Sequence, residues 1–204
     1  MSQTLDLAKI HPGFLDPVRE SQAVFRKVMD AVARPGSVAD LAFAVDGPPG
    51  LDCAAAAVAL TLFDFETPVW LDPALAGGEA EGWIRFHAGC PLTPETSRAA
   101  FALVARAQDC PPLSAFNQGD AKYPDRSTTV IVQVAGLEGG EPVVLTGPGI
   151  KTETVIAPRG LPHGFWEQLE TNNAQFQYGV DVMLVAGPLL LALPRSTRAQ
   201  IRKG

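Results

Sequence analysis

The first clear pattern along the chain is a run of apolar residues at helical spacing. Asp16 can supply an N-cap oxygen, and Pro17 suits the first helical position, where a missing N–H costs nothing. Pro35 and Gly36 would end the segment. Residues 1–15 lack this periodicity and are predicted to form an irregular arm. We predict a helix over residues 17–34 whose buried face carries Val18, Phe25, Val28, Met29 and Val32.

A second helix and three short strands are predicted in the rest of the first half. Residues 51–63 follow a turn rich in glycine and proline and are apolar on nearly all sides, which indicates a buried helix. Residues 68–71 and 83–86 combine bulky and β-branched side chains, as short strands do. Residues 101–104 fit a strand or a helix. The surrounding prolines favour the strand because they leave little room for a long helix.

The second half begins after a turn-rich stretch, residues 111–124, which we expect to separate two halves of one fold. Residues 128–135 and residues 142–146 are both rich in β-branched side chains. The pair Gly139-Gly140 lies between them. This arrangement predicts two antiparallel strands joined by a hairpin-like turn.

One helix and two strands complete the prediction. Residues 160–172 carry large apolar side chains at helical spacing and end in two asparagines, which favours a helix packed on a sheet. Residues 180–186 and 189–193 are apolar strands joined through Gly187-Pro188, and a polar tail follows from Arg195. Helices and strands alternate in the first half, and strands dominate the second. The predicted fold class is therefore α/β, with a mixed β-sheet flanked by helices.

Composition limits the size and the setting of this fold. With 204 residues, 47% of them apolar, the chain can bury one sizeable core, so we expect a single domain over residues 1–204. The net charge of −6 repels nucleic acid and anionic lipid. No apolar run reaches the roughly 20 residues that cross a bilayer, and the N-terminal residues do not have the pattern of a secretory signal. We expect a cytoplasmic protein that binds neither nucleic acid nor membrane, with its three cysteines reduced.

The best local grouping of metal-ligand residue types is His87 with Cys90, spaced as H-x-x-C. Two ligands do not make a zinc site, and the dispersed Cys53 and Cys110 offer no motif that would complete one. A Cys–His nucleophilic pair could use the same two residues. We favour a hydrogen-bonded His87 and a buried thiol at Cys90, and we predict no metal.

A glycine turn and three arginines are the candidate contacts for an anionic ligand. Thr146, Gly147 and Gly149 belong to a turn that resembles a phosphate loop weakly, but it matches neither common glycine-rich motif, and the intervening proline removes a backbone donor. A tight structural turn is the favoured interpretation. The arginines lie near the ends or on the polar faces of predicted elements, where their guanidinium groups could bind phosphate oxygens or form surface salt bridges: Arg26, Arg85 and Arg195.

Six short motifs, taken together and in order, resemble one known family. They span most of the chain, and each is weak alone: Phe25-Arg26 with Arg34-Pro35-Gly36, residues 67–71, Arg85-Phe86-His87 with Pro91-Leu92, residues 145–150, Gly179-Val180-Asp181 and residues 194–197. On these motifs the chain resembles the PhnH family, the H subunits of the bacterial carbon–phosphorus lyase system of phosphonate metabolism.

The resemblance implies a fold, partners and a role. The fold would be similar to the large domain of pyridoxal-phosphate-dependent transferases, without the cofactor. Of the five lysines, only Lys151 is plausibly placed for a Schiff base, so we predict no cofactor. The partners would be a second copy of the chain and the G, I and J subunits of a core complex.

The role that the resemblance implies is accessory. The chain would be required for alkylphosphonate utilisation, in which a ribose triphosphate phosphonate intermediate is formed from ATP with the G, I and L subunits. The three dispersed cysteines do not match a cluster motif for the later radical step. The alternative is a catalytic, transferase-like or ligand-binding component, in which Arg26, Arg85, His87 and Arg195 gather around a nucleotide or phosphonate near the Gly147 turn, with His87 as the acid/base group.

Overall fold

A computed structural model describes residues 10–42 and 45–202 of the chain. Of the predicted irregular arm, residues 1–9 lie outside the described part, and residues 10–15 have no regular secondary structure, as expected. The helices and strands follow in this order: α1 (Pro17–Ala33), β1 (Val38–Asp40), α2 (Cys53–Leu62), β2 (Val69–Leu71), α3 (Glu79–Ala88), β3 (Phe101–Val104), β4 (Thr129–Gln133), β5 (Val143–Thr146), β6 (Thr154–Ile156), α4 (Phe165–Ala174), β7 (Asp181–Ala186), β8 (Leu189–Leu193) and β9 (Arg198–Ile201).

Six strands form the main sheet, in the order β1-β8-β7-β4-β3-β2. Strands β2, β3, β4 and β7 are parallel, and β8 and β1 run antiparallel to their neighbours. The predicted mixed sheet flanked by helices is therefore confirmed. The predicted strand pair at residues 180–193 is confirmed too, since β7 and β8 form an antiparallel hairpin through Gly187.

The core lies in two layers, one on each face of the main sheet. One layer packs the sheet against α1, α2 and α3, and it includes Leu103 and Ile131. The other packs the sheet against α4 and a second, smaller sheet, and it includes Val104 and Val132. Adjacent residues of β3 and β4 thus enter opposite layers, as the alternation of side chains along a strand requires.

The hairpin predicted between residues 128–135 and 142–146 is wrong. Strand β4 is a central parallel strand between β3 and β7, whereas β5 leaves the main sheet and pairs with β6 and β9 in a three-stranded antiparallel sheet. The two β-branched runs are both strands, but Val130, Ile131 and Val132 are all fully buried. A continuous apolar run of this kind is typical of a parallel strand that is covered on both faces. A strand of a hairpin with one solvent-exposed face would alternate apolar and polar residues.

The predicted polar tail from Arg195 onward is also wrong, because residues 198–201 form β9. This strand alternates, with Ala199 buried and its neighbours Arg198 and Gln200 exposed. A half-buried strand at the edge of a small sheet needs only one apolar face. Arg195 consequently follows β8 but does not follow the last strand.

The predicted strand at residues 83–86 is part of helix α3. Ala80, Trp83 and Ile84 are buried at helical spacing, and Gly89 ends the helix with a φ of 65°. The four apolar and basic residues alone favour a strand, but the glycines that flank the ten-residue segment allow a full helix. The other two sheet predictions in this half, at residues 68–71 and 101–104, are confirmed as β2 and β3.

Helix α1 forms where predicted, and its N-cap is the Asp16 side chain, which accepts a hydrogen bond from the Arg19 N–H. Its buried face differs from the predicted one. Val24, Val28 and Ala31 are buried, whereas three of the residues assigned to the core are exposed: Val18, Phe25 and Met29. Only one half of the wide apolar surface of α1 packs in the core, and the other half is exposed to solvent.

Residues 54–59 of helix α2 are all buried, in agreement with the predicted buried helix. A helix forms in the predicted range of residues 160–172, but α4 begins later, at Phe165, and runs through the two asparagines to Ala174. The asparagines were expected to end it, and that part of the prediction is wrong. Among the described residues, no helix is both long and apolar enough to cross a bilayer.

Candidate functional site

The seven candidate site residues lie in three separate regions. Arg26 is exposed on α1, and Arg85 and His87 lie on α3. Arg195, Thr146, Gly147 and Gly149 lie around the start of β9, where the glycine turn also contacts the end of α1. Of the arginines, Arg195 lies beside the Gly147 turn, next to Ser196, whereas Arg26, Arg85 and His87 lie on helices α1 and α3.

The Arg195 guanidinium is bound within the protein. Its Nε and Nη2 atoms donate to the two carboxylate oxygens of Asp181 at 3.2 and 2.6 Å, and its Nη1 donates to the carbonyl of Pro124 at 2.6 Å. The Arg195 backbone N–H donates to Asp181 as well, at 2.8 Å. Only 15% of the side chain is exposed. All three guanidinium nitrogens are engaged, so this arginine fastens the turn-rich stretch to the main sheet.

Asp181 was not among the predicted site residues, although a signal for it was present. The hairpin of β7 and β8 pairs Val182 with Leu193, so its register places residue 181 beside residues 194 and 195. Asn173 adds a hydrogen bond from its side-chain amide to the Arg195 carbonyl at 2.9 Å.

Two hydroxyl groups, on Ser127 and Thr197, are buried without a hydrogen-bond partner among the described residues.

The glycine turn at residues 147–149 packs tightly against the backbone of two other segments. A Cβ on Gly149 would lie 2.1 Å from the carbonyl oxygen of Ala33, and one on Gly147 would lie 2.9 Å from that of Ser196. Both glycines have positive φ, 135° at Gly147 and 83° at Gly149. The backbone therefore touches the end of α1 on one side and the strand-to-strand turn on the other. Thr146 lies just before this turn and pairs with Arg198 across β5 and β9.

Arg85 and His87 lie on α3 but have different partners. The Arg85 Nε lies 2.9 Å from a carboxylate oxygen of Glu81, one turn earlier, and about half of the arginine side chain is exposed. This geometry is that of a surface ion pair of small net strength.

His87 holds the N-terminal arm. Its Nε2 lies 3.0 Å from the His11 carbonyl oxygen, and the Trp83 Nε1–H donates to the same oxygen at 3.0 Å. The imidazole also contacts the Trp83 ring in a tilted arrangement, with centroids 5.0 Å apart. A Cβ on Gly13 would lie 2.9 Å from His87 Nδ1, so the arm lies directly on the ring. This is the hydrogen-bonded histidine that the sequence favoured.

Cys90 and Cys110 are poor nucleophiles in this fold. Burial raises the pKa of Cys90 above its usual value, and burial, with a smaller effect of the Asp72 charge, raises the pKa of Cys110 to about 12. Both thiols therefore stay protonated at neutral pH, whereas a cysteine nucleophile needs a lowered pKa. Across residues 10–42 and 45–202, no group of three or more His, Cys, Asp or Glu side chains could hold a metal ion.

The carboxyl ends of the parallel strands are the usual ligand site of an open α/β sheet. Here the polar side chains at that edge bind backbone groups of the chain itself. The Asp72 carboxylate accepts hydrogen bonds from the N–H groups of Ala74 and Ala105, at 2.7 and 3.1 Å. Gln133 accepts from the Asp52 N–H at 2.7 Å and donates to the Ala105 carbonyl at 3.1 Å. These contacts hold the strand ends together.

An open groove of about 360 Å³ lies between residues 112–118 and helix α4. Its polar lining is mainly amide and hydroxyl groups, including Ser114, Gln118, Gln168 and Gln175, with Glu167 as its one charged side chain. A lining without a basic group does not suit a phosphate or a phosphonate. The groove contains none of the predicted site residues.

Comparison with known proteins gives three matches. A family profile described as "PhnH: Bacterial phosphonate metabolism protein (PhnH)" matches residues 12–200. A protein of Rhizobium meliloti (strain 1021) named "Alpha-D-ribose 1-methylphosphonate 5-triphosphate synthase subunit PhnH" is 45% identical over 194 residues, which cover 95% of this chain and 97% of that protein. A protein of Stutzerimonas stutzeri named "Putative C-P lyase subunit protein HtxG" is 30% identical over 181 residues, 89% of this chain and 86% of that protein.

Proposed function

Because the chain belongs to the family of bacterial phosphonate metabolism proteins called PhnH, we propose that it is an accessory, non-catalytic subunit of a carbon–phosphorus lyase core complex. In this role it is required for alkylphosphonate utilisation, at the step that forms a ribose triphosphate phosphonate from ATP. The similar protein of Rhizobium meliloti carries the name of a synthase subunit for such a compound.

The observation that supports the accessory role is that the polar candidate residues are bound to other parts of the same chain. Arg195 is fully engaged by Asp181 and Pro124, His87 holds the arm, and the glycine turn is filled by neighbouring backbone. Arg195, His87 and the glycine turn therefore each have a structural task. A reaction centre needs side chains whose donors or acceptors face the substrate.

The proposal includes the partners and the fold relationship that the family resemblance implies. The partners are a second copy of the chain and the G, I and J subunits, and the location is the cytoplasm. The chain forms one domain with a fold similar to the large domain of pyridoxal-phosphate-dependent transferases, without the cofactor. In support of the last point, the lysines of the described residues, Lys27, Lys122 and Lys151, are all exposed, whereas a Schiff-base lysine is buried.

A reconstituted reaction followed by phosphorus NMR tests the role. ATP and methylphosphonate are incubated with the isolated chain, with the G, I and L subunits, and with all four together. We expect formation of the ribose triphosphate phosphonate with the full set and none with the isolated chain. Conversion by the isolated chain, or undiminished conversion without it, would contradict the accessory role.

The same assay separates this role from the catalytic alternative. The double variant Arg85→Ala, His87→Ala removes the two candidates on α3. If the chain acts as an accessory subunit, the variant that still assembles keeps its activity within about threefold. If these residues perform acid/base or ligand chemistry, activity falls by two orders of magnitude or more while assembly is unchanged.

A further inference from the structure

The open groove between residues 112–118 and α4 has a polar lining that is only partly used within the chain. On the loop side, the Gln118 Nε2 donates to the carbonyl oxygens of Leu113 and Phe116, at 2.8 and 2.9 Å. Both hydrogens of this amide nitrogen are therefore engaged, since it has only two. The Gln118 Oε1 forms no hydrogen bond within residues 10–42 and 45–202, so it is left as a free acceptor.

Two side chains on α4 also leave acceptors free. The Thr171 hydroxyl donates its hydrogen to the Glu167 carbonyl at 2.9 Å, so its Oγ1 can only accept a further hydrogen bond. The Glu167 carboxylate is exposed and forms no ion pair with the described part of the chain. An ionised carboxylate is an acceptor only. Gln118, Thr171 and Glu167 all line the groove, which therefore presents free acceptors to a ligand.

The groove is also negatively charged. Glu167 is the one charged residue of its lining. Helix α4 contains two glutamates, Glu167 and Glu170, and no lysine, arginine or histidine, and residues 111–121 contain no basic residue either. A carboxylate without a counter-ion, beside other free acceptors, suits a ligand that is positively charged and donates hydrogen bonds. An ammonium or guanidinium group has both properties and accepts no hydrogen bond.

The shape of the groove suits an extended polypeptide. Glu167, Thr171 and Gln175 follow one another at intervals of four residues along α4 and its C-cap, over about 12 Å. This length matches about four residues of extended backbone. The Gln168 Nε2 and the exposed amide of Gln175 supply donors and an acceptor for the C=O and N–H groups of such a backbone. A small free cation would occupy only part of the groove.

We propose that this groove binds an extended segment of another protein through a lysine or arginine side chain of that segment. The basic group donates to the Glu167 carboxylate, and the backbone of the segment bonds with the glutamine side chains of the lining. The inference goes beyond the accessory role, which assigns this groove to no partner, and it does not depend on that role. One such anchor binds weakly, so a short segment by itself should have a dissociation constant of about 1 mM.

An NMR titration of the ¹⁵N-labelled chain tests the site with a short probe, acetyl-Gly-Ala-Arg-Ala-Gly amide. We expect chemical-shift changes mainly at the backbone amides of residues 113–118 and 167–175, with a dissociation constant of about 1 mM. The same peptide with citrulline in place of arginine keeps the shape of the side chain but loses its charge. It should bind at least about fivefold more weakly, because the ion pair with Glu167 is lost.

A matched pair of variants tests the role of Glu167. Glu167→Gln removes the charge but keeps the size of the side chain, and it should weaken binding of the arginine probe about fivefold. Glu170→Gln makes the same change at an exposed residue of the same helix that does not line the groove. It should leave the dissociation constant within about twofold of the original, because it only changes the more distant charge. Thermal unfolding checks that both variants keep the stability of the original chain.

Four results would overturn the inference. They are no shift in the groove at about 10 mM probe, equal binding of the citrulline peptide, equal weakening by the two glutamate variants, and binding of agmatine as tight as that of the arginine probe. The last result would assign the groove to a small free cation, because agmatine has a guanidinium group but no peptide backbone. The accessory role is tested separately, in the reconstituted reaction.

Discussion

Arg195 illustrates how a basic residue in a family motif can serve the fold alone. Its guanidinium joins the start of β7, through Asp181, to the turn-rich stretch, through Pro124. Arg85, in another motif, pairs with Glu81 on the surface of its own helix. The sequence places both arginines near element ends and assigns both the same candidate role. Only the tertiary structure separates an arginine that fastens two segments from one that faces solvent.

The two arginines should differ in their effect on stability. Arg195→Ala leaves the Asp181 carboxylate partly buried without its partner and should lower the free energy of unfolding by about 2 kcal/mol. Arg85→Ala breaks an exposed pair within one helix and should cost about 0.5 kcal/mol or less. Urea unfolding followed by circular dichroism measures both. Equal losses would contradict the structural role of Arg195.

The close packing of Gly149 gives a second test at the level of single residues. Gly149→Ala forces a Cβ to 2.1 Å from the Ala33 carbonyl oxygen, at a φ of 83°. Gly77→Ala is the matched control, because its φ of 74° is similar but nothing lies within 4 Å of the added atom. The control should cost about 1 kcal/mol for the left-handed backbone, and Gly149→Ala at least about 2 kcal/mol more. Thermal unfolding of the two variants measures both losses of stability. Equal losses would contradict the tight packing of Gly149 against Ala33.

Among the elements, those with complete local signals follow from the sequence. Helix α1 has its cap and its stop, α2 has its alanine run, and β7 and β8 have a short turn between two apolar runs. The failures involve information from farther away. Residues 83–86 alone favour a strand, and only the flanking glycines indicate the longer helix. Strand β4 pairs with residues 101–104 and 181–185, not with the next strand along the chain.

The candidate site was less predictable than the fold, for a related reason. Residue type and spacing identify groups able to bind an anion, but they do not tell which groups are already occupied. The engagement of Arg195 depends on Pro124, 71 positions away, and that of His87 depends on His11, 76 positions away. The division of the apolar face of α1 likewise depends on where the main sheet ends.

The contact between α3 and the arm gives a test at the scale of elements. His87→Ala removes one of two donors to the His11 carbonyl, and the loss of about 1 kcal/mol should increase detachment of the arm about fivefold. Brief chymotrypsin digestion followed by mass spectrometry should show faster cleavage after Phe14, a residue partly packed on the core. Arg85→Ala, on the same helix, serves as the control and should leave the cleavage rate unchanged. An unchanged rate in His87→Ala as well would mean that the histidine does not hold the arm.

At the scale of the whole molecule, the polar groups bind the fold together and an apolar surface is left exposed. The edge of the main sheet that often binds ligands is closed by hydrogen bonds of Asp72 and Gln133 to the backbone. On α1, in contrast, the large apolar side chains of Val18, Phe25 and Met29 are exposed. This distribution supports the proposed role as an accessory subunit.

The most direct test is the native mass of the complex formed when the chain is co-expressed with the G, I and J subunits and purified through a tag on the I subunit. The account predicts that the chain is retained in fixed stoichiometry, and that Arg85→Ala, His87→Ala does not remove it. A purified complex of the G, I and J subunits from which the unmodified chain is absent, under mild salt, would contradict the account.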